Sequence, residues 1–310
     1  MIVSCGEALI DFLPMTGAEG SRGWRPFPGG SPFNIALAVA RLGVPSGFLS
    51  RLSRDLFGDQ LMTAMQDNKV DTALVRRSDE PSTLAFVDAA PGQEPRYAFF
   101  AVGAADRSLA PADLPASLPD GVACLHFGSN SLAQEPSAST LEGLMRRESG
   151  RRVLSLDPNI RPTLIADPAA YRRRFEGWIR HAGIVKLSRA DLLWLYPGAQ
   201  IDAVVDDWLQ RGPALVVVTR GGDGALARTR NVRAEIPGIA ITVVDTIGAG
   251  DTFHGALLAR LYRHRQLSRQ RLGQLDQASL VKALDYANRA AAINCARPGM
   301  NPPYASELAD

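Results

Sequence analysis

Short apolar runs bounded by turn residues alternate along the chain with longer segments whose apolar positions recur every three or four residues. The runs at 2–9, 46–49, 122–127, 152–157, 183–187 and 215–219 predict strands. The spacing predicts helices over 32–42, 57–69, 137–149, 169–182, 203–211, 251–265 and 280–295. Strands alternating with helices in this way imply a parallel sheet covered on both faces. Ligands of such sheets bind beyond the carboxyl ends of the strands. Two segments break the pattern. Residues 83–88 and 96–102 alternate at period two around a Gly- and Pro-containing connection, which predicts an antiparallel hairpin. The Gly/Pro-rich stretch 11–27 reads as irregular. Together they form a small β lid over one edge of the main sheet.

Composition adds mainly exclusions. A chain of 310 residues, 46% hydrophobic and 21% charged, is that of an ordinary globular enzyme, read as a single domain over 1–310. No run of eighteen apolar residues is present, which argues against a membrane partner. The first residues read as a strand rather than a signal peptide, and Cys5, Cys124 and Cys295 lie far apart without metal spacing. Both suit the cytoplasm. The net charge of +2 arises from 34 basic and 32 acidic residues. Arginine clusters at 172–174 and 260–271 lack interleaved aromatics and read as solvated helix faces, so no nucleic-acid partner is expected.

The sharpest chemical signal is Val243-Val-Asp-Thr-Ile-Gly-Ala-Gly-Asp-Thr-Phe, a β-branched run, a small-residue turn and then a helix. The N–H groups of Gly248, Ala249 and Gly250 would face out of that helix end and receive an anion. Asp251 sits in the same first turn, where the helix dipole favours its ionised form. A carboxylate beside an anion hole suits phosphoryl transfer, in which a base orients the attacking hydroxyl and accepts its proton late. A plain Gly-rich turn capped by aspartate is the alternative, and the second carboxylate at Asp245 weighs against it. The turn lacks the third glycine of a dinucleotide fingerprint, and no lysine follows a Walker-type loop.

A second signal is Phe27-Pro-Gly-Gly-Ser-Pro-Phe-Asn. Gly29 and Gly30 allow close backbone approach, Pro32 suits a first helical turn, and Asn34 presents an amide that both donates and accepts. With Asp11 after the first strand, these residues suggest a polyol pocket.

The pair Gly29-Gly-Ser-Pro-Phe-Asn and Asp245-Thr-Ile-Gly-Ala-Gly-Asp resembles the two signatures of the PfkB (ribokinase-like) carbohydrate kinases. Gly6-Glu-Ala-Leu-Ile-Asp11, Asp157-Pro-Asn-Ile-Arg161, Lys186-Leu-Ser-Arg-Ala-Asp191 and Thr219-Arg-Gly-Gly-Asp-Gly-Ala225 follow in that family's order. Bacterial fructokinases are the nearest in pattern. The resemblance implies an α/β fold, a ribokinase-like Rossmann-type layered sheet with helices on both faces and a small β lid. It also implies an ATP-dependent sugar kinase, most simply for fructose. Other sugars (2-keto-3-deoxygluconate or ribose), a nucleoside, or a non-catalytic sugar-binding role on the same scaffold are the alternatives.

Residue by residue, the resemblance makes Asp251 the base and Gly248, Ala249 and Gly250 the anion hole. Asp11, Gly29, Gly30 and Asn34 would hold sugar hydroxyls, Arg161 would reach the sugar or the γ-phosphate, and the lid residue Arg96 would touch substrate or a partner subunit. Lys186, Ser188, Thr219, Arg220, Gly221, Gly222 and Gly224 would line the nucleotide, with Asn288 near adenine. Asp245 and the carbonyl of Ile247 would hold a K⁺ ion, and Mg²⁺ would arrive with ATP. Apart from the resemblance, the unpaired edges of the lid strands invite a homodimer through the lid. Family members often carry Asn-x-x-Glu where this chain has Ser188 and Asp191. His254, on the helix of Asp251, reads as packing.

Overall fold

The computed structural model describes residues 1–17, 20–88 and 96–308, apart from the side chains of Asp88, Arg96 and Tyr97. In chain order the first strands are β1 (Ile2–Cys5), β2 (Leu9–Thr16), β3 (Arg22–Gly29), β4 (Ser46–Ser53), β5 (Val75–Ser78), β6 (Leu84–Asp88) and β7 (Arg96–Phe100). Then come β8 (Cys124–Gly128), β9 (Val153–Asp157), β10 (Ile184–Ser188), β11 (Leu215–Thr219), β12 (Ala225–Arg228) and β13 (Arg233–Ile236). Helices are α1 (Ser31–Arg41), α2 (Leu56–Asp67), α3 (Ser137–Glu148), α4 (Pro168–His181) and α5 (Arg189–Leu195). They continue with α6 (Ile201–Arg211), α7 (Ala249–Arg263), α8 (Arg269–Gly273) and α9 (Gln277–Cys295).

Nine strands form the central sheet in the order β13-β12-β11-β10-β9-β8-β1-β4-β5. All neighbours are parallel except β11–β12 and β12–β13. Its central strands are buried along almost their whole length because both faces are covered, and they are mostly apolar apart from Ser4, His126, Ser155, Asp157 and Lys186. Residues of α3, α4 and α6 fill one face, and those of α1, α7 and α9 fill the other. From β1 the chain leaves toward β4 on one side and later toward β8 on the other, so the sheet's switch point lies beside β1.

The predicted strand at 2–9 is in fact two. Gly6 takes φ +147° and redirects the chain out of the central sheet, after which β2 begins a separate four-stranded sheet, β3-β2-β6-β7. The stretch 11–27, expected to be irregular, belongs to β2 and β3 of that sheet. Val243 and Val244, a β-branched run, form no strand and are each 57% exposed. Their segment is anchored instead where Val244 and Asp245 N–H donate to the Cys295 carbonyl.

Alternation along β2 gives the small sheet two chemistries. Leu9 and Asp11, with Val87 and Phe99, face a cavity against the main sheet. Phe12 and Phe86 point the other way and stack at 4.5 Å, with Phe57 of α2 edge-on to Phe12 at 5.7 Å.

Helix α1 begins with Pro32 in its first turn and continues in a buried Ile-Ala-Leu-Ala-Val run, a sequence with little reason to leave the helix. It packs on α7. At their closest, a Cβ on Gly255 would lie 2.7 Å from Ala38 Cβ, so the two backbones approach to a distance only glycine allows. That close packing brings the N-terminal turns of α1 and α7 together.

Candidate active site

A cavity of about 290 Å³ opens at the switch point, between the carboxyl ends of the central strands and the inner face of the small sheet. Its floor is the junction of α1 and α7. Asp251 is buried there. Ser31 Oγ donates to its Oδ1 at 2.6 Å, and Asn34 Nδ2 donates to its Oδ2 at 2.8 Å. Burial pushes the Asp251 carboxyl above the usual carboxylate range, while the bonds from Ser31 and Asn34 and the nearby charge of Lys186 act against the rise. The result is a carboxylate of raised basicity, held in one orientation. Asn34 Oδ1 also lines this floor and meets no donor among the described residues.

The turn before α7 leaves backbone N–H groups without helical acceptors, with one correction to expectation. Gly248 caps the helix in the left-handed conformation, φ +71° and ψ 6°. Thr252 N–H makes the first helical bond, to the Gly248 carbonyl at 2.8 Å, so the Gly250 and Asp251 amides have no intrahelical acceptor. Ala249 N–H, counted on sequence grounds with these donors, turns back to the Thr246 carbonyl at 3.2 Å.

Across the cavity, Asp11 projects from β2. Burial raises its carboxyl to about 7 despite the opposing charge of Arg161, and the carboxylates of Asp251 and Glu7 push the same way as burial. Gly29 is required beside it, because a Cβ there would lie 2.2 Å from Asp11 Oδ2. Gly30, at φ +102°, passes so close to Glu7 that a Cβ would lie 2.8 Å from its carbonyl. Arg161 reaches the cavity from the loop after β9, its Nη1 donating to Asn159 Oδ1 at 2.8 Å. Arg96 lies outside the described side chains.

Sequence reasoning missed several cavity residues. Ser31 sits inside the motif that supplied Asn34, and its place in the first turn of a helix was the available signal. Glu7 belongs to the strand-end motif of Asp11. Ser131 N–H and Oγ hold Glu7 Oε2, while Oε1 meets no donor among the described residues. Asn130 and Asn159 line the cavity from loops whose convergence no local pattern announces.

The raised carboxyl of Asp11 has a consequence for stability. Its proton is bound more tightly in the folded chain than in the unfolded one. Its contribution to stability is therefore greatest below the unfolded value near 3.8 and is lost as pH rises through about 7. Asp11→Asn is expected to be more stable than the parent at pH 8, with the difference shrinking toward pH 5. Thermal melts at the two pH values check it; a gap that widens toward pH 5 would be the wrong sign.

On the neighbouring strands, Ser188, Thr219, Arg220 and Gly221 line an open groove of about 470 Å³ at the carboxyl ends of β10 and β11. Cβ atoms on Gly221 or Gly222 would meet nothing within 4 Å, whereas one on Gly224 would lie 2.1 Å from the Ile236 carbonyl. The loop thus presents bare backbone outward while its last glycine is packed against the strand beyond. The Arg220 guanidinium lies 3.7 Å from Glu235. The Ser188 hydroxyl caps α5 by accepting from Asp191 N–H at 3.0 Å and donates to Asp191 Oδ2 at 2.7 Å. Asn288 Nδ2 donates to the Pro237 carbonyl at 3.0 Å.

Lys186 does not line this groove. It is 3% exposed and lies beneath the α7 turn, where its Nζ pairs with Asp157 Oδ2 at 2.7 Å and a Cβ on Gly250 would lie 3.2 Å from it. It belongs to the β10 face that points into the α7 layer, with the turn above it.

Asp245 organises the approach to that turn. Its two oxygens accept from Ile247 N–H and Gly299 N–H, both at 2.9 Å, and the Ile247 carbonyl accepts from Asn294 Nδ2 at 2.8 Å. Among the described residues, no three His, Cys, Asp or Glu side chains converge on a metal position.

The family described as pfkB family carbohydrate kinase matches residues 1–307. A fructokinase of Rhizobium leguminosarum bv. trifolii is 41% identical over 285 residues, covering 92% of this chain and 87% of its own. The crystal structure of a Xylella fastidiosa fructokinase with bound ATP superposes with a TM-score of 0.88 at 30% identity, covering 96% of this chain and 93% of that one. A double-mutant fructokinase from Vibrio cholerae, in a form with fructose, ADP and potassium ion bound, gives a TM-score of 0.83 at 29% identity over 96% of this chain and 93% of its own.

Proposed function

This chain belongs to the pfkB family of carbohydrate kinases, and from that premise we propose that it transfers the γ-phosphoryl group of ATP to a hydroxyl of fructose, forming fructose 6-phosphate. One observation carries the reading: a buried carboxylate of raised basicity, Asp251, shares a helix N-terminus with amides that have no helical acceptor, on the floor of a polar cavity.

The sugar lies in the cavity, with hydroxyls toward Asp11, Asn34 Oδ1 and the backbone at Gly30. Asp251 orients the attacking hydroxyl and takes its proton as the bond to phosphorus forms. The transition state is loose, with negative charge spread over the equatorial oxygens, and the amides of Gly248, Gly250 and Asp251 face that charge. Their orientation is fixed before reaction, so little reorganisation is needed. ATP extends from this turn over the β10 and β11 loops, where Thr219, Gly221 and Gly222 offer backbone and Arg220 a guanidinium. Mg²⁺ is carried by the phosphates of ATP.

Charge supports a neutral acceptor. Among the described residues, Glu7, Asp11 and Asp251 line the cavity against one cation, Arg161. A sugar acid would add a further negative charge to this set. We expect kcat/KM for fructose to exceed that for 2-keto-3-deoxygluconate, ribose and adenosine by at least tenfold at saturating MgATP, about 1.4 kcal/mol in transition-state preference. A tenfold advantage for the sugar acid would mean that Arg161 outweighs the carboxylates, and fructose would be the wrong acceptor.

Asp245, with the Ile247 carbonyl, supplies the all-oxygen donor set that suits a hard monovalent cation. A bound K⁺ would neutralise the loop and stiffen the turn that carries the anion hole. Activation by K⁺ over Na⁺ is therefore expected in kcat rather than in the KM for sugar. Equal turnover in K⁺ and in a buffer free of monovalent metal ions would remove this site from the scheme.

The small sheet acts as a lid over the sugar and, with Trp24 and Phe100 exposed on it, as the contact for a homodimer. The kinase works in the cytoplasm, where ATP is available.

A further inference from the structure

Beneath the anion-hole turn lies a buried polar chain that the phosphoryl-transfer scheme does not use. His126, Ser155 and His254 are each 0% exposed, and Asp157 is 1% exposed. Ser155 Oγ sits between two imidazoles, 2.7 Å from His254 Nε2 and 3.4 Å from His126 Nδ1. The rings meet edge to face at 4.7 Å. The other nitrogen of His254, Nδ1, lies 3.6 Å from Asp157 Oδ2, the same oxygen that accepts from Lys186 Nζ at 2.7 Å.

Burial holds both imidazoles below their ordinary range, so both are neutral at working pH, and Asp157 is held well below the carboxylate range by Lys186 and His254. Each neutral ring has one N–H. The Asp157 carboxylate assigns the His254 proton to Nδ1, leaving Nε2 to accept from Ser155, whose oxygen then accepts from His126 Nδ1–H. Donation runs in one direction from His126 to Asp157, and Lys186 donates to the same carboxylate from the other side. In an apolar core, where each unmet polar atom is costly, His254 Nδ1 has no hydrogen-bond partner among the described residues and faces the Asp157 charge across 3.6 Å, and His126 Nε2 at the far end of the chain is likewise without one.

We propose that His254, through Ser155 and Asp157, is a positioning residue that fixes the Lys186 ammonium beneath Gly250, so that one immobile positive charge serves both the reacting carboxylate Asp251 and the arriving phosphoryl group. His254 lies three residues along α7 from Asp251, one turn deeper, so α7 carries both the base and the support for its counter-charge. The charged and titratable groups around Asp251 are Lys186 on β10, Asp157 on β9, His254 on α7, Asp11 on β2, with Glu7 and Arg161 acting on Asp11. Among those facing Asp251, Lys186 is the cation, and its placement depends on Asp157. The inference rests on Asp251 as the base, but its test does not need turnover.

The experiment is a pH titration of the Asp251 carboxyl carbon in full-length protein labelled with ¹³C-aspartate, the signal being assigned by its loss in Asp251→Asn. It is run for the parent, His254→Ala, Ser155→Ala and His254→Gln, alongside steady-state kinetics with fructose and MgATP. In the two alanine variants the Asp251 midpoint is expected to move up, kcat to fall about tenfold and its acidic limb to move up with the midpoint, while the KM for fructose stays within about twofold. A slight loss of alignment at a reacting centre is enough for a change of that size. His254→Gln, whose amide can meet Ser155, is expected to recover most of the loss. If the Asp251 midpoint and kcat per folded molecule are unchanged in both alanine variants, His254 only fills space and the inference falls. If the midpoint moves in a protein that shows no turnover with any sugar, the inference stands and the kinase reading of this site fails.

Discussion

Asp251→Asn is expected to lower kcat by roughly 10²–10⁴, the range for loss of a general base, while folding and ATP affinity stay nearly intact. The geometry explains why this variant is a clean probe. Ser31 can still donate to the new side-chain oxygen. At the other position an NH₂ group would face the Asn34 NH₂, but Asn34 Oδ1 has no donor among the described residues, and a flip of that amide restores the bond. Because burial raises the Asp251 carboxyl, its ionisation opposes folding as pH rises, so the amide should be at least as stable at pH 8. Rates with saturating fructose and MgATP, with ATP affinity measured by calorimetry, check the expectation. Turnover retained in full would mean that another group accepts the proton.

A loss of roughly 10²–10³ in kcat is expected for Gly248→Val, the range for removing an oxyanion-hole donor. Gly248 occupies φ +71°, a region costly for a β-branched side chain, and its Cβ would lie 2.5 Å from Met300 Cγ. Something must shift, and the turn is the mobile part because α7 behind it is packed against α1 and α9. Displacing the turn misdirects the amides without touching Asp11 or Arg161, so sugar binding should survive. The double variant Gly248→Ala with Met300→Ala separates the two causes. If crowding dominates, it recovers much of the rate; if the backbone conformation dominates, it recovers little.

The fold was legible where both faces of an element are buried. Leu215–Thr219 appears on the residues its apolar run indicated, and the long helices moved by no more than a few residues at their ends. The short antiparallel strands β12 and β13, reading Ala-Leu-Ala-Arg and Arg-Ala-Glu-Ile, carry too little pattern to declare themselves. Prolines concealed β2 and β3. Pro26 and Pro28 stand on an edge strand, and Pro14 lies beyond the register in which β2 pairs with β6, so none of them removes a needed donor from the sheet's interior. At the site, residues in the first turns of α1 and α7 were legible because glycines and capping positions mark such turns. The burial of Lys186 was not legible for a physical reason: its position on β10 is clear from sequence, but the carboxylate that pairs with it, Asp157, comes from another strand. Buried polar networks are assembled by topology, and no local window contains them.

The meeting of α1 with α7 also sets a timetable for synthesis. Asn34 and Asp251 are 217 residues apart, so at translation speeds of about 5–20 residues per second roughly 10–45 s separate the appearance of the two partners. Throughout that interval the apolar flank of α1 that will receive Gly255 is uncovered, and Asn34 has no Asp251 to meet. With Asp251 as the proposed base, the polypeptide is expected to be inert toward ATP until its final quarter docks, and during the wait α1 is the segment a chaperone would find.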